Sequence, residues 1–176
     1  CCACMLGALE ILTVLVVAVA MALALAHALE LPGKLRLTKA QYLAVQPIYY
    51  PGFTIGGVAE PLGLLLTLTL MFFLPWGSVP FWLAAAAFLA LVAMHSCYWL
   101  LTHPVNNFWL KDFKLKGAGR GFFAFDPMHR QASTSSPDWR ALRDRWEYSP
   151  VVRAGFGLIA LALLVMIAAP RGPRLG

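Results

Sequence analysis

Four apolar runs, each long enough to cross a bilayer, constrain this chain before any motif does. A helix needs about 20 apolar residues to traverse roughly 30 Å of hydrocarbon, and residues 5–29, 54–74, 79–101 and 150–169 all meet that length. With 60% of its 176 residues hydrophobic, only 12% charged and a mean hydropathy of +0.71, the chain lacks the polar surface of a soluble domain. Backbone polar groups in lipid must be satisfied internally, and no ten-residue alternation suggests a barrel. The expected fold is therefore all-α: an integral membrane four-helix bundle with short interfacial helices, forming one domain over residues 1–176. No basic residue precedes the first run and no small-residue cleavage site follows it, so it reads as a retained span rather than a signal peptide. An opening at Cys1 instead of Met suggests a processed or incomplete chain.

The basic residues are unevenly distributed. Lys34, Arg36 and Lys39 lie between the first two runs, and Lys111, Lys114, Lys116, Arg120, Arg130, Arg140, Arg143 and Arg145 lie between the last two, against Arg171 and Arg174 on the other side. Positive residues stay in the cytoplasm, which predicts a multi-pass protein of the inner or plasma membrane with both termini outside and a long cytoplasmic loop over 102–149. The net charge of +6 is then a topological signal with attraction to anionic headgroups, and it does not imply nucleic acid.

The connections carry local signals. Thr38 and Gln41 in "TKAQYLAVQP" fit a capping box and Pro47 supplies a stop, predicting a short interfacial helix. Tyr42, Tyr49, Tyr50 and Phe53 suit the headgroup level, and Gly52, Gly56 and Gly57 offer close backbone approach at the start of the second run. The tight, uncharged "PWGSVP" makes runs two and three a hairpin. In the long loop, Gly117, Gly119 and Gly121 surround basic residues but lack both the Lys-Ser/Thr of a phosphate loop and a preceding strand. Ser136 and Pro137 read as a helix start, and Trp139, Leu142, Arg143 and Trp146 recur at helical spacing, predicting an amphipathic helix on the membrane surface. Ser149 and Pro150 repeat the device and should start the fourth span.

Ionisable groups inside spans are costly unless paired or hydrated, so each is a functional candidate. His27 and Glu30 close the first span, Glu60 sits about two turns inside the second, His95 and His103 lie near the end of the third, and Arg153 is one turn inside the fourth. All gather towards one end of the predicted bundle. Pro61 removes a backbone donor beside Glu60, which fits a pocket, although Glu60 could equally pair with Arg153 as a lock. His27 and Glu30, three residues apart, share a helix face; the carboxylate could orient the imidazole as a general base, or both could be solvated residues of a helix exit. No doubled Glu-x-x-His motif supports a di-iron centre, a haem held by His27 and His95 has no further signal, and no metal ligand set is assigned. "CCAC" contains a Cys-x-x-Cys, yet Cys97 is the only other cysteine, whereas a membrane thiol oxidoreductase wants a second pair or a quinone site. Glu10, near the outer end of span one, has no evident partner.

Several phrases together carry a resemblance: "AHALELPGK", "YLAVQPIYYPGF", "HPVNNFW" and "DWRALRDRWEYSPVVRA". Across nearly the whole chain they resemble the family of small four-helix membrane proteins that includes the anthrone oxygenases of polyketide pathways. The resemblance implies a cofactor-independent oxygenase, which deprotonates an activated aromatic so that the carbanion reacts with dioxygen to give a quinone. Such chemistry needs a base, an apolar planar pocket and donors facing the developing oxyanion. By matched motif, the resemblance implies His27 as base, Glu30 as its orienter, Asn106 as donor to a substrate oxygen, Arg153 as charge stabiliser and Trp146 as pocket wall; Glu60, His95 and His103 join the pocket by their placement. The family pattern carries a histidine a few residues before the arginine, and Pro150 stands there in this chain.

Two functions follow as expectations. One is an anthrone-oxygenase-like enzyme acting on a hydrophobic aromatic small molecule that enters from the lipid bilayer. The other is a non-catalytic accessory subunit that binds neighbouring membrane subunits through its small-residue faces and basic loop.

Overall fold

A computed structural model of the chain describes residues 2–49, 51–109 and 138–169, and every regular element among them is helical. The long helices are α1 (Cys2–Lys34), α4 (Ala59–Phe73), α5 (Val79–Cys97) and α7 (Trp139–Ala168). Short pieces complete the order: α2 (Lys39–Val45), a 3₁₀ turn at Gln46–Tyr49, α3 (Gly52–Gly56), a π-helical turn at Tyr98–Thr102 and α6 (His103–Trp109). Four continuous stretches, Cys4–Lys34, Gly52–Phe73, Val79–Asn106 and Trp139–Ala168, are long and apolar enough to cross a membrane. Helix α1 packs on α4 and α7, and α5 packs on the same two, giving a closed ring of four.

Small residues set the helix spacing. Ala20, Ala24, Ala84, Ala87 and Ala160 are buried between helices with Leu70, Met94 and Leu164 filling the gaps. Thr13 and Thr67 are also buried, and each hydroxyl donates to the carbonyl four residues back, so neither is left unsatisfied. The outward faces are equally apolar, with Leu12, Leu15, Leu65, Phe72, Leu89 and Ile159 exposed. A helix apolar on all sides needs an apolar medium around it.

Helix ends follow their chemistry. The Thr38–Gln41 capping box forms at the start of α2, and Ser78 caps α5 after a turn in which Gly77 takes the left-handed conformation, φ 73°. Between α3 and α4, Pro61 cannot donate to the Gly57 carbonyl, which accepts instead from the Glu60 N–H at 3.1 Å. The break thus falls at Gly57 and Val58, leaving Pro61 in the first turn of α4, where no donor is missed.

Two sequence expectations need correction. The stretch 102–149 is not all loop: Thr102 lies in the π-helical turn, α6 follows it, and α7 begins at Trp139. Nor does a separate surface helix precede the fourth span, because α7 runs through Pro150 without a stop. Ser149 does not cap a new helix; its hydroxyl is 2.7 Å from that of Thr102, and Asp138 caps the whole of α7 through the Arg140 N–H. The Gly117, Gly119 and Gly121 segment, its basic cluster, Ser136, Pro137, Tyr50 and Cys1 lie outside the described residues.

Candidate functional site

The ring of helices encloses a cavity of about 750 Å³ towards the end where α1 finishes and α4 begins. Three aromatic rings, Tyr49, Phe53 and Trp146, pack around His27 with centroids 4.5, 4.3 and 5.2 Å away. The imidazole is only 8% exposed, and its Nδ1 has no hydrogen-bond partner among the described residues. Glu30, the expected orienter, stands 3.8 Å from that nitrogen, beyond hydrogen-bond range. Its carboxylate instead accepts from the Tyr49 hydroxyl at 2.5 Å and pairs with Lys34 at 2.9 Å. His27 is therefore oriented by rings rather than by a carboxylate.

A second group forms the opposite wall. Arg153 and Glu60 make a close ion pair, and Glu60 also meets His95 Nδ1 at 3.2 Å. Trp99 Nε1 donates to His95 Nε2 at 2.9 Å, which makes that nitrogen the acceptor and leaves the ring proton on Nδ1, facing Glu60. Both imidazole nitrogens are spent, so His95 cannot take a ligand proton without breaking one of these bonds. The Arg153 guanidinium lies 5.2 Å from the Tyr98 ring, and its Nε, buried, has no partner among the described residues. Glu60 is thus both things expected of it, a lock with Arg153 and part of a cavity wall.

Asn106 reaches the cavity from α6. Trp146 Nε1 donates to its Oδ1 at 2.7 Å, fixing the amide so that its NH₂ is the donor end, which hydrogen-bonds the Tyr98 hydroxyl oxygen. The π-helical turn and Pro104 set this up. Proline has no N–H for the Leu100 carbonyl four residues back, the His103 N–H bonds Tyr98 O instead, and the Leu100 oxygen is taken by Arg145 from α7 at 2.6 Å.

Of the expected residues, the cavity gathers His27, Glu60, His95, Asn106, Trp146 and Arg153. Glu30 and His103 do not reach its wall. His103 is buried with its ring 4.7 Å from that of Trp99. Among the described residues no three His, Cys, Asp or Glu side chains converge as a metal would require.

A buried charge cluster beside the cavity escaped the sequence reading. Lys34 and Glu147 are both buried, 3.4 Å apart, with the Tyr42 hydroxyl donating to Glu147 at 2.8 Å. The Lys34 ammonium also lies 4.5 Å from the Tyr49 ring and 5.0 Å from that of Trp146. Tyr42 is fully buried, packed with Val105 and Trp146. Burial pushes the Tyr42 and Tyr49 phenols well above their ordinary range, and the neighbouring carboxylates, Glu147 for one and Glu30 for the other, add to the shift. Both remain neutral donors.

No family model, curated protein or solved structure matches the chain.

Proposed function

We propose that the chain is a multi-pass membrane protein, with its basic connections cytoplasmic and both termini outside, that oxidises a lipid-soluble aromatic with dioxygen in the manner of the anthrone oxygenases. The observation that carries this reading is His27: a buried imidazole with an unbonded ring nitrogen, held among three aromatic rings on the wall of a cavity that also contains Arg153. A flat, mostly carbon ligand suits that wall. His27 takes a proton from an activated methylene next to the aromatic system, and Arg153 with the Asn106 amide faces the oxygen on which negative charge develops. Dioxygen is the oxidant. The methylene becomes a carbonyl, one oxygen atom is retained and the other leaves as water, so the four electrons balance.

Glu30 has a different part from the one the resemblance implies. Bonded to Tyr49 and Lys34, it fixes the ring that packs on His27 and acts as a positioning residue. Pro150, where the family pattern has a histidine, lines the cavity without a titratable group. Proton transfer is then assigned to His27 alone.

Oxygen uptake by the purified protein with an anthrone tests the proposal. Acceleration over buffer is expected, and His27→Ala should remove about 10²- to 10⁴-fold of it, the range of one acid–base group. No acceleration would overturn the reading. Recovery from mild detergent at fixed stoichiometry within a larger particle, without such activity, would establish the accessory-subunit function instead.

A further inference from the structure

The cavity wall is not uniformly enclosed. Every wall residue contributed by α1, α5, the π-helical turn, α6 and α7 is buried or half-buried, whereas the exposed ones are Pro51, Ile55, Gly57, Val58 and Pro61. All five belong to one place in the fold, the start of α3 and the break between α3 and α4. An opening must be edged by residues that touch both the inside and the outside, which puts the mouth of the cavity at that break. Ile55 and Val58, 69% and 61% exposed, are its two large apolar edges.

The rim carries no polar side chain, and all of it but Pro51 lies within Gly52–Phe73, one of the four stretches apolar enough to cross a membrane. Five apolar residues around an opening would meet water at a cost but meet acyl chains at none. Behind the rim the character changes. Glu60 and Arg153 lie on the inner wall, and the buried donors Gln46 Nε2 and Arg153 Nε have no partner among the described residues, nor does His27 Nδ1. Buried polar groups of this kind are normally matched. A ligand that offers an oxygen acceptor to them and an apolar body to the rim satisfies both regions at once.

The backbone suits a passage here. At Gly57 and Val58 the helical ladder is interrupted, and Gly56 is seated so close to α1 that a Cβ would lie 2.6 Å from Leu23 Cδ1. One side of the break is therefore anchored and the other ends in a turn without side-chain capping.

We infer that the cavity is loaded sideways from the bilayer, through the α3–α4 break at Ile55 and Val58, by a lipid-dissolved molecule with an apolar body and at least one acceptor oxygen directed inward. This rests on the membrane part of the proposed function and not on its oxygen chemistry.

A lipid-soluble fluorescent naphthyl ketone, added to the full chain reconstituted in phosphatidylcholine vesicles, tests it through the saturable change in the probe's own emission. Val58→Phe and Ile55→Phe, each narrowing the mouth, should slow both association and dissociation about tenfold while leaving Kd nearly unchanged, because a gate alters both rates alike. Leu65→Phe, on an exposed position of α4 away from the cavity, should alter neither rate; circular dichroism confirms that all three variants stay helical. Absence of saturable binding, or rates that do not distinguish the rim variants from Leu65→Phe, would overturn the inference. Slowed exchange without oxygen uptake on an anthrone would uphold the side entry while removing the oxygenase.

Discussion

Glu60 and Arg153 show what a charge inside an apolar run does. Their side chains are nearly enclosed and neutralise each other's charge, with His95 completing Glu60. Removing one partner strands the other in a low-dielectric interior, so Glu60→Gln should destabilise the fold by about 3–5 kcal/mol. Adding Arg153→Met to that variant should recover most of the loss, since no charge is then left unpaired. Thermal unfolding in detergent, followed by circular dichroism, measures both. A double variant as unstable as the sum of its parts would contradict the coupling. These two residues could be read from the sequence because a charge among leucines and alanines is conspicuous. Lys34 and Glu147 could not. They sit in charged stretches, where nothing in composition separates a buried residue from a solvated one. Only the fold reveals that Tyr49 and Trp146 cover the lysine.

Helix α7 meets α1 through Gly157, where an added Cβ would lie 3.1 Å from Met21 Cβ and Cγ and 3.3 Å from its Cα. Backbone cannot yield as a side-chain tip does. Gly157→Val is expected to destabilise by about 1–3 kcal/mol through overpacking. Gly155, two residues earlier, has nothing within 4 Å of an added Cβ, so Gly155→Ala should be neutral or stabilising by up to about 1 kcal/mol through helix propensity. Unfolding midpoints in mixed detergent check the pair, and equal effects would show that α1 and α7 do not pack at Gly157. The sequence announced a helix start where the capping side chain had no rival, as at Thr38. It misled at Ser149, whose hydroxyl is committed to Thr102 on another helix. A cap is a local signal, and a tertiary hydrogen bond can take its atom away.

For the molecule in its medium, the tryptophans provide the readout. Trp76 and Trp82 are 83% and 58% exposed at the hairpin end of the bundle, whereas Trp146 is 6% exposed beside the cavity. In vesicles of brominated phosphatidylcholine, single-tryptophan variants retaining Trp76 or Trp82 should be strongly quenched and one retaining Trp146 should not. Equal quenching of Trp146 would contradict its enclosure. The all-helical architecture and four long apolar helices were evident from run length alone, because backbone bonding in lipid leaves few alternatives. What run length could not supply is rotation. The π-helical turn at Tyr98–Thr102 adds one residue to a turn, delaying everything after it by about 100° about the axis. An uninterrupted helical period would align Asn106 with His95, eleven residues earlier. The extra residue shifts the phase, so one rod addresses two neighbours in succession: His95 meets Glu60 of α4, and Asn106 meets Trp146 of α7.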